Sequence, residues 1–128
     1  MSAMSDYLEL EVLDHVLGTG AYTMPSNVYI GLSTGSFGDD NSGTELSGSN
    51  YSRQTIAFAA ASSGSAATNA TVTFPTATGS WGAVSSWGLF DASSSGNLLI
   101  HGSFASSKTI ASGDVLRVNS GDLTVTAA

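Results

Sequence analysis

Apolar residues along this chain follow two different periods. Between residues 7 and 17 they recur three and four apart, as Tyr7, Leu10, Leu13 and Leu17, with Leu8, Val12 and Val16 broadening the stripe. That is the period of an α-helix with one apolar face. Glu9, Glu11 and Asp14 are placed on the other side. Ser5 or Asp6 can cap the helix, and Asp6 with Glu9 three residues on makes a variant of the capping box. Gly18 and Gly20 stop it. The spacing therefore predicts a helix over 5–18, too short to be stable unless it packs on something.

After Pro25 the period falls to two, the period of a half-buried strand. Alternation predicts strands at 27–33, 54–60, 68–74, 84–91, 97–105, 114–118 and 123–126. Val28, Ile30, Leu32, Ile56, Phe58, Val72, Phe74, Leu98, Ile100 and Phe104 form the expected core, with Trp87 and Leu89 sharing one face and Phe90 the other. Short strands parted by Gly, Ser, Asn and Asp point to an all-β fold, an antiparallel β-sandwich or jelly roll over 26–128 with one short N-terminal α-helix. The whole of 1–128 reads as a single domain.

Two connections are longer than a hairpin needs. Residues 35–50 are polar and acidic, and residues 60–69 are rich in Ser and Ala. Loops of this length inside a compact domain are usually functional or disordered. Near the C-terminus, Ser112-Gly113-Asp114 and Ser120-Gly121-Asp122 repeat one tripeptide before a strand, which reads as turn chemistry used twice.

Composition narrows the classes of partner. Net charge is −7, with only Arg53, Lys108 and Arg117 as cations. A nucleic-acid binder needs a basic footprint to displace counterions, so neither DNA nor RNA is an expected partner. An anionic membrane surface is excluded on the same ground, and no apolar run approaches the roughly 20 residues of a spanning helix. Residues 1–6 lack the basic and then apolar pattern of a secretion signal. The expected route is synthesis in a cytoplasm, after which the protein stays there or leaves inside an assembly. With no cysteine there are neither disulfides nor thiolate metal sites.

The residue types that carry catalysis are sparse, and no catalytic or cofactor-binding residue is assigned. His15 sits late in the helix, where an imidazolium suits the dipole. His101 falls mid-strand, one position off the inward set, and reads as a wall histidine bonded to a neighbouring strand. Serine is too abundant for any Ser/His/Asp combination to carry information, and no Gly-x-Ser-x-Gly elbow is present. Asp39, Asp40, Asn41 and Glu45 offer hard oxygens in one loop and are weak calcium candidates, although their spacing misses the EF-hand pattern. No cofactor is expected. Leu10, Leu13, Leu17, Phe37 and Trp81 are the candidate partner contacts. Trp81, in a Gly-Ser-Trp-Gly turn, would also suit a sugar if exposed.

Several blocks then converge. The chain reads YLELEVLDHVLG at 7–18, PSNVYIGLSTG at 25–35, GTELSGSNYSRQTIAF at 43–58, TVTFPTATGSWGAVSSWGLFDASSSGNLLIHGSF at 71–104 and SGDVLRVNSGDLTVT at 112–126. In this order they resemble a family of small tailed-phage virion proteins commonly labelled phage tail fibre proteins. Members show a helix ending Leu-Asp-His, a Pro-x-x-x-Tyr-x-Gly-Leu strand, a Gly-x-Tyr-x-Arg-Gln block and a Phe-Pro-x-Ala-x-Gly-x-Trp-Gly block. Here these fall at Leu13–His15, Pro25–Leu32, Ser49–Gln54 (with Ser49 where the family often has Gly) and Phe74–Gly82.

The resemblance implies a virion structural protein and brings no catalytic residues with it. A fibre shaft needs length or repeats, which a single domain of 128 residues lacks, so a knob is expected. Knobs spread over a lattice act as capsid cement through summed modest contacts. The favoured expectation is thus a capsid decoration protein, and the alternative is a tail-fibre or tail-tip component touching the host. A small hydrolase or sugar-binding module using His101 or Trp81 comes third. Other virion proteins (the major capsid protein or tail proteins) and a dimer or trimer of this chain are the expected partners.

Overall fold

The computed structural model describes residues 2–127. In chain order its elements are β1 (Ser2–Met4), α1 (Asp6–Val16), β2 (Val28–Ser33), β3 (Gln54–Ile56), β4 (Ser65–Ala67), β5 (Val72–Thr73), β6 (Gly82–Phe90), β7 (Leu98–Ile110), β8 (Arg117–Val118) and β9 (Thr124–Thr126). The fold is all-β with one short N-terminal helix, as the periodicity predicts. Five strands form one antiparallel sheet in the order β1-β7-β6-β2-β3. The second layer is not a continuous sheet but two separate two-stranded ribbons, β4-β9 and β5-β8.

Ser5 explains where the helix starts. Its hydroxyl accepts the Leu8 N–H at 3.2 Å, capping α1. The same hydroxyl donates to the Leu98 carbonyl, and the Ser5 N–H donates to Leu99 O at 2.8 Å. One buried serine thus caps α1 and anchors it to β7. At the other end Gly18 takes φ 79°, and the Thr19 and Gly20 N–H groups return to Asp14 O. Only Leu8 is buried in this helix, so the expected broad packing of its apolar face does not occur within the chain.

The strands differ in length from their predicted spans for local reasons. The 54–60 strand ends at Ile56, and Phe58 makes an isolated bridge with Thr68. The 68–74 strand shrinks to β5 because Thr68 is committed to a turn. Its carbonyl and hydroxyl both accept from Gly121 N–H, at 2.7 and 2.9 Å. The 97–105 strand instead runs on to Ile110, following β6 back to Gly82 past an irregularity between Val84 and Ser86. β1, and β4 within the supposed 60–69 loop, had no alternating signal.

The repeated tripeptide builds the same turn twice. Gly113 and Gly121 take φ 89° and 84°. The Asp114 N–H donates to Ala111 O and the Asp122 N–H to Asn119 O, both at 3.0 Å. Each aspartate carboxylate accepts from the first residue of its turn, at 2.9 and 3.2 Å. A positive φ at the third position with a first-to-fourth bond is type II geometry, which is why glycine stands there.

The main core lies between one face of the sheet and the ribbons. Ile30, Leu32, Ile56, Val72 and Phe74 are buried in it, while Val28, Phe58, Ile100 and Phe104 pack against it. Trp81, Trp87, Leu89, Leu116, Val118 and Leu123 complete it. Leu98 is the exception. An irregularity between Leu89 and Phe90 sets Leu98 opposite Phe90, and the two join Phe37 in a second cluster. Phe37 and Trp81 are 1% and 5% exposed, which removes both as partner contacts for the folded chain. Among the described residues, no helix is long and apolar enough to cross a membrane.

Candidate functional site

The most organised polar constellation rests on a glycine notch in the sheet. Gly31 on β2 pairs with Gly88 on β6, so this rung carries no side chain on either face. Glu45, Phe90 and Tyr51 fill the space above Gly31. Arg53 donates to both Glu45 oxygens, at 2.9 and 2.8 Å. Its guanidinium lies 3.6 Å from the centre of the Phe90 ring, and its Nη1 donates to Ala92 O and Ser95 O. The Tyr51 hydroxyl donates to Glu45 and accepts the Leu32 N–H at 2.9 Å. Burial and the Glu45 carboxylate push this phenol far above its ordinary pKa, so it stays a donor.

This clamp gives the Tyr-x-Arg-Gln block a physical meaning. It pins the 44–53 segment along the part of β2 that β3 leaves uncovered, with Leu46 N–H on Leu32 O and the Ser33 hydroxyl on Thr44 O. The edge of β2 is thereby closed to other strands. The preceding turn is tight, with Gly48, Ser49 and Asn50 all at positive φ of 76°, 51° and 67°. Ser49 thus stands in a backbone conformation that suits the glycine usual in the resembling family. A Cβ on Gly31 would lie 2.7 Å from Glu45 Oε2 and 3.0 Å from the Phe90 ring. Gly31→Ala is therefore expected to cost about 1–3 kcal/mol by overpacking. Urea denaturation checks this, and an unchanged midpoint would mean that the notch is not filled.

The loop considered for calcium does not assemble. Glu45 is held by Arg53 and Tyr51, away from its supposed co-ligands. Asp39 faces His101, with Oδ1 2.7 Å from Nε2. Asp40 accepts the Ser42 N–H at 3.0 Å, and hydrogen bonds from Ser42 hold its carboxyl below the usual range. Asn41 takes φ 58° to close this turn. Among the described residues no group of three or more metal-ligating side chains converges. His101 does meet a partner, but an acid of the 35–50 loop rather than a neighbouring strand. His15 accepts the Tyr22 N–H at 3.1 Å through Nδ1, which ties the chain back after the helix.

Two surface features remain. Leu10, Leu13 and Val16 of α1 and its C-cap Leu17 are 55–72% exposed. At about 100° per residue, Leu10, Leu13 and Leu17 fall in one stripe with Glu9 and Asp14 along its two edges. Of the acids placed on the other side, only Glu11 keeps that place. The second feature is a groove of about 590 Å³ between the outer part of β7 and the β8–β9 region. Sequence reasoning missed it, because a groove made by separate ribbons leaves no periodic trace.

The chain is thus a small antiparallel β domain with a leucine-bearing helix and an open groove on its surface. The chain belongs to a family described as podophage GP4 fiber I protein gp80, whose model matches residues 3–126. It is thus a phage virion structural protein of the fibre type, in keeping with the resemblance seen in its motifs. A comparison with curated proteins found no match.

Proposed function

We propose that this protein is a non-enzymatic component of the tail fibre or tail tip that contacts the host surface. The carrying observation is the fibre family match over residues 3–126, which favours the tail alternative over the capsid-decoration expectation. The geometry is compatible with a knob at a fibre. The core is closed, and the acidic 35–50 loop is partly pinned by the Glu45–Arg53 clamp rather than free to wrap a shell. The sugar-binding alternative loses its proposed stacking residue, since Trp81 is buried with its indole N–H on Ser49 O at 3.0 Å. His101→Ala tests the non-enzymatic part of the proposal. It is expected to change no hydrolysis of ester, glycoside or peptide, and its loss of such an activity would overturn that part.

The test is to image particles that carry an affinity label on this chain. Density at the tail, with a copy number on the scale of the tail's rotational symmetry, is the expected result. Density spread over the shell at the frequency of the capsid lattice would restore the decoration reading and reject this one.

A further inference from the structure

The groove and the helix stripe carry opposite charge. Of the three full cations in the sequence, Arg53 is consumed by Glu45. The other two, Lys108 and Arg117, both line the groove, both are exposed, and among the described residues neither makes an ion pair. In a chain of net charge −7, the free positive side chains are thus gathered at one place. Half-buried Phe104 lines the groove with them, and the buried core side chains Trp87 and Leu116 back it. Asp122 is the one acid of the lining, with Oδ2 accepting the Asn119 N–H at 3.2 Å, and the two cations against it leave the groove net positive.

The groove also borders an open edge. β1 pairs with β7 only at Ile100, His101 and Gly102, so beyond Gly102 the outer side of β7 has no strand beside it among the described residues. α1 presents the matching pattern, a leucine stripe between Glu9 and Asp14. No residue of α1 lines the groove of its own chain, because Ser5 holds the helix to Leu98 and Leu99.

We infer that α1 of one copy seats in the Lys108/Arg117 groove of a second copy, joining chains head to tail. Leu10, Leu13 and Leu17 would lie over Phe104, and the flanking carboxylates would meet the flanking cations. Amphipathic helices commonly bind grooves in this way, and charge matching fixes the partner and its orientation. A contact of this kind uses two different patches, so each chain keeps one of each to extend or close the assembly. The inference is independent of whether the protein sits on the tail or the shell.

A charge swap tests it, read as solution mass by light scattering over a range of concentrations. Wild type is expected to exceed the 12.9 kDa of one chain, more so at low salt. Glu9→Lys with Asp14→Lys should weaken association about tenfold or more, as should Lys108→Glu with Arg117→Glu. All four positions are exposed, so the fold should survive, and circular dichroism confirms it. Mixing the two variants should restore association, since each reversed helix then meets a reversed groove. Leu13→Ser with Leu17→Ser should dissociate the assembly, with no reversal able to rescue it. Monomeric wild type at every concentration would overturn the inference. So would reversals that leave the mass unchanged, or a mixture that stays dissociated.

Discussion

Replacing Phe74 with alanine is expected to lower stability by about 3–5 kcal/mol. The side chain is 1% exposed and sits where the ribbons meet the sheet. Its ring stacks on Tyr51 at 6.2 Å and lies 6.4 Å from Trp81, edge to face. Trp81 is itself 5.6 Å from Tyr51. The three rings fill one volume, and the backbone around them has little freedom to collapse. The Phe74 N–H is bonded to Leu116 O at 2.9 Å, and Pro75 fixes the next φ. The loss should appear as a melting temperature lower by roughly 10 °C or more. A change under about half a kcal/mol in urea unfolding would show that this ring is not at the centre of packing.

Arg53→Ala should be nearly as costly, at about 3 kcal/mol. Removing one member of a buried ion pair leaves the other charge without its partner, which typically costs 3–5 kcal/mol. Here the Arg53 side chain is 8% exposed and that of Glu45 23%, so water can partly rescue the carboxylate and the low end applies. Two further losses are local. The Phe90 ring loses its cation, and the Ala92 and Ser95 carbonyls lose their donor. Amide exchange should therefore rise in residues 91–97 well before global unfolding. Arg53→Lys keeps the charge but not the planar fork, and should recover less than half of the loss. Full recovery by lysine would mean that charge alone holds the loop.

Much of the fold was legible because its signals are local. The helix cap at Ser5, the stop at Gly18, the alternation in β2 and the paired Ser-Gly-Asp turns each follow from a few neighbouring residues. Alternation likewise places the expected core residues in or against the main core, except Leu98, where a one-residue irregularity opposite Phe90 reverses the face. The second layer was not legible as two ribbons. Thr68 has the β-branched form of a strand residue, yet a turn more than fifty residues away takes its hydrogen-bonding groups.

Candidate contacts divided along the same line. Leu10, Leu13 and Leu17 are exposed, and helical period alone places them in one stripe. Phe37 and Trp81 are core, because an aromatic in a Gly-rich stretch can fold inward when the glycines let the backbone approach. The acidic loop looked like one cluster in sequence, but Arg53 and His101 draw Glu45 and Asp39 to different partners. Both attractions come from residues outside the loop, and spacing within the loop carries no trace of them.

The Gly31–Gly88 rung also constrains how this sequence can drift. A Cβ on Gly88 would sit 2.9 Å from Leu98 and 3.2 Å from Phe37, just as one on Gly31 would strike Glu45 and Phe90. Neither glycine can grow while the rings and the carboxylate above it keep their size. Descendants of this chain are therefore held to inherit the two glycines with Phe37, Glu45, Phe90 and Leu98 as a block. A lineage that enlarges one member must shrink another in the same step, or pass through an intermediate with a strained sheet. Among distant relatives these positions should covary even where the surrounding serines and alanines have been freely exchanged.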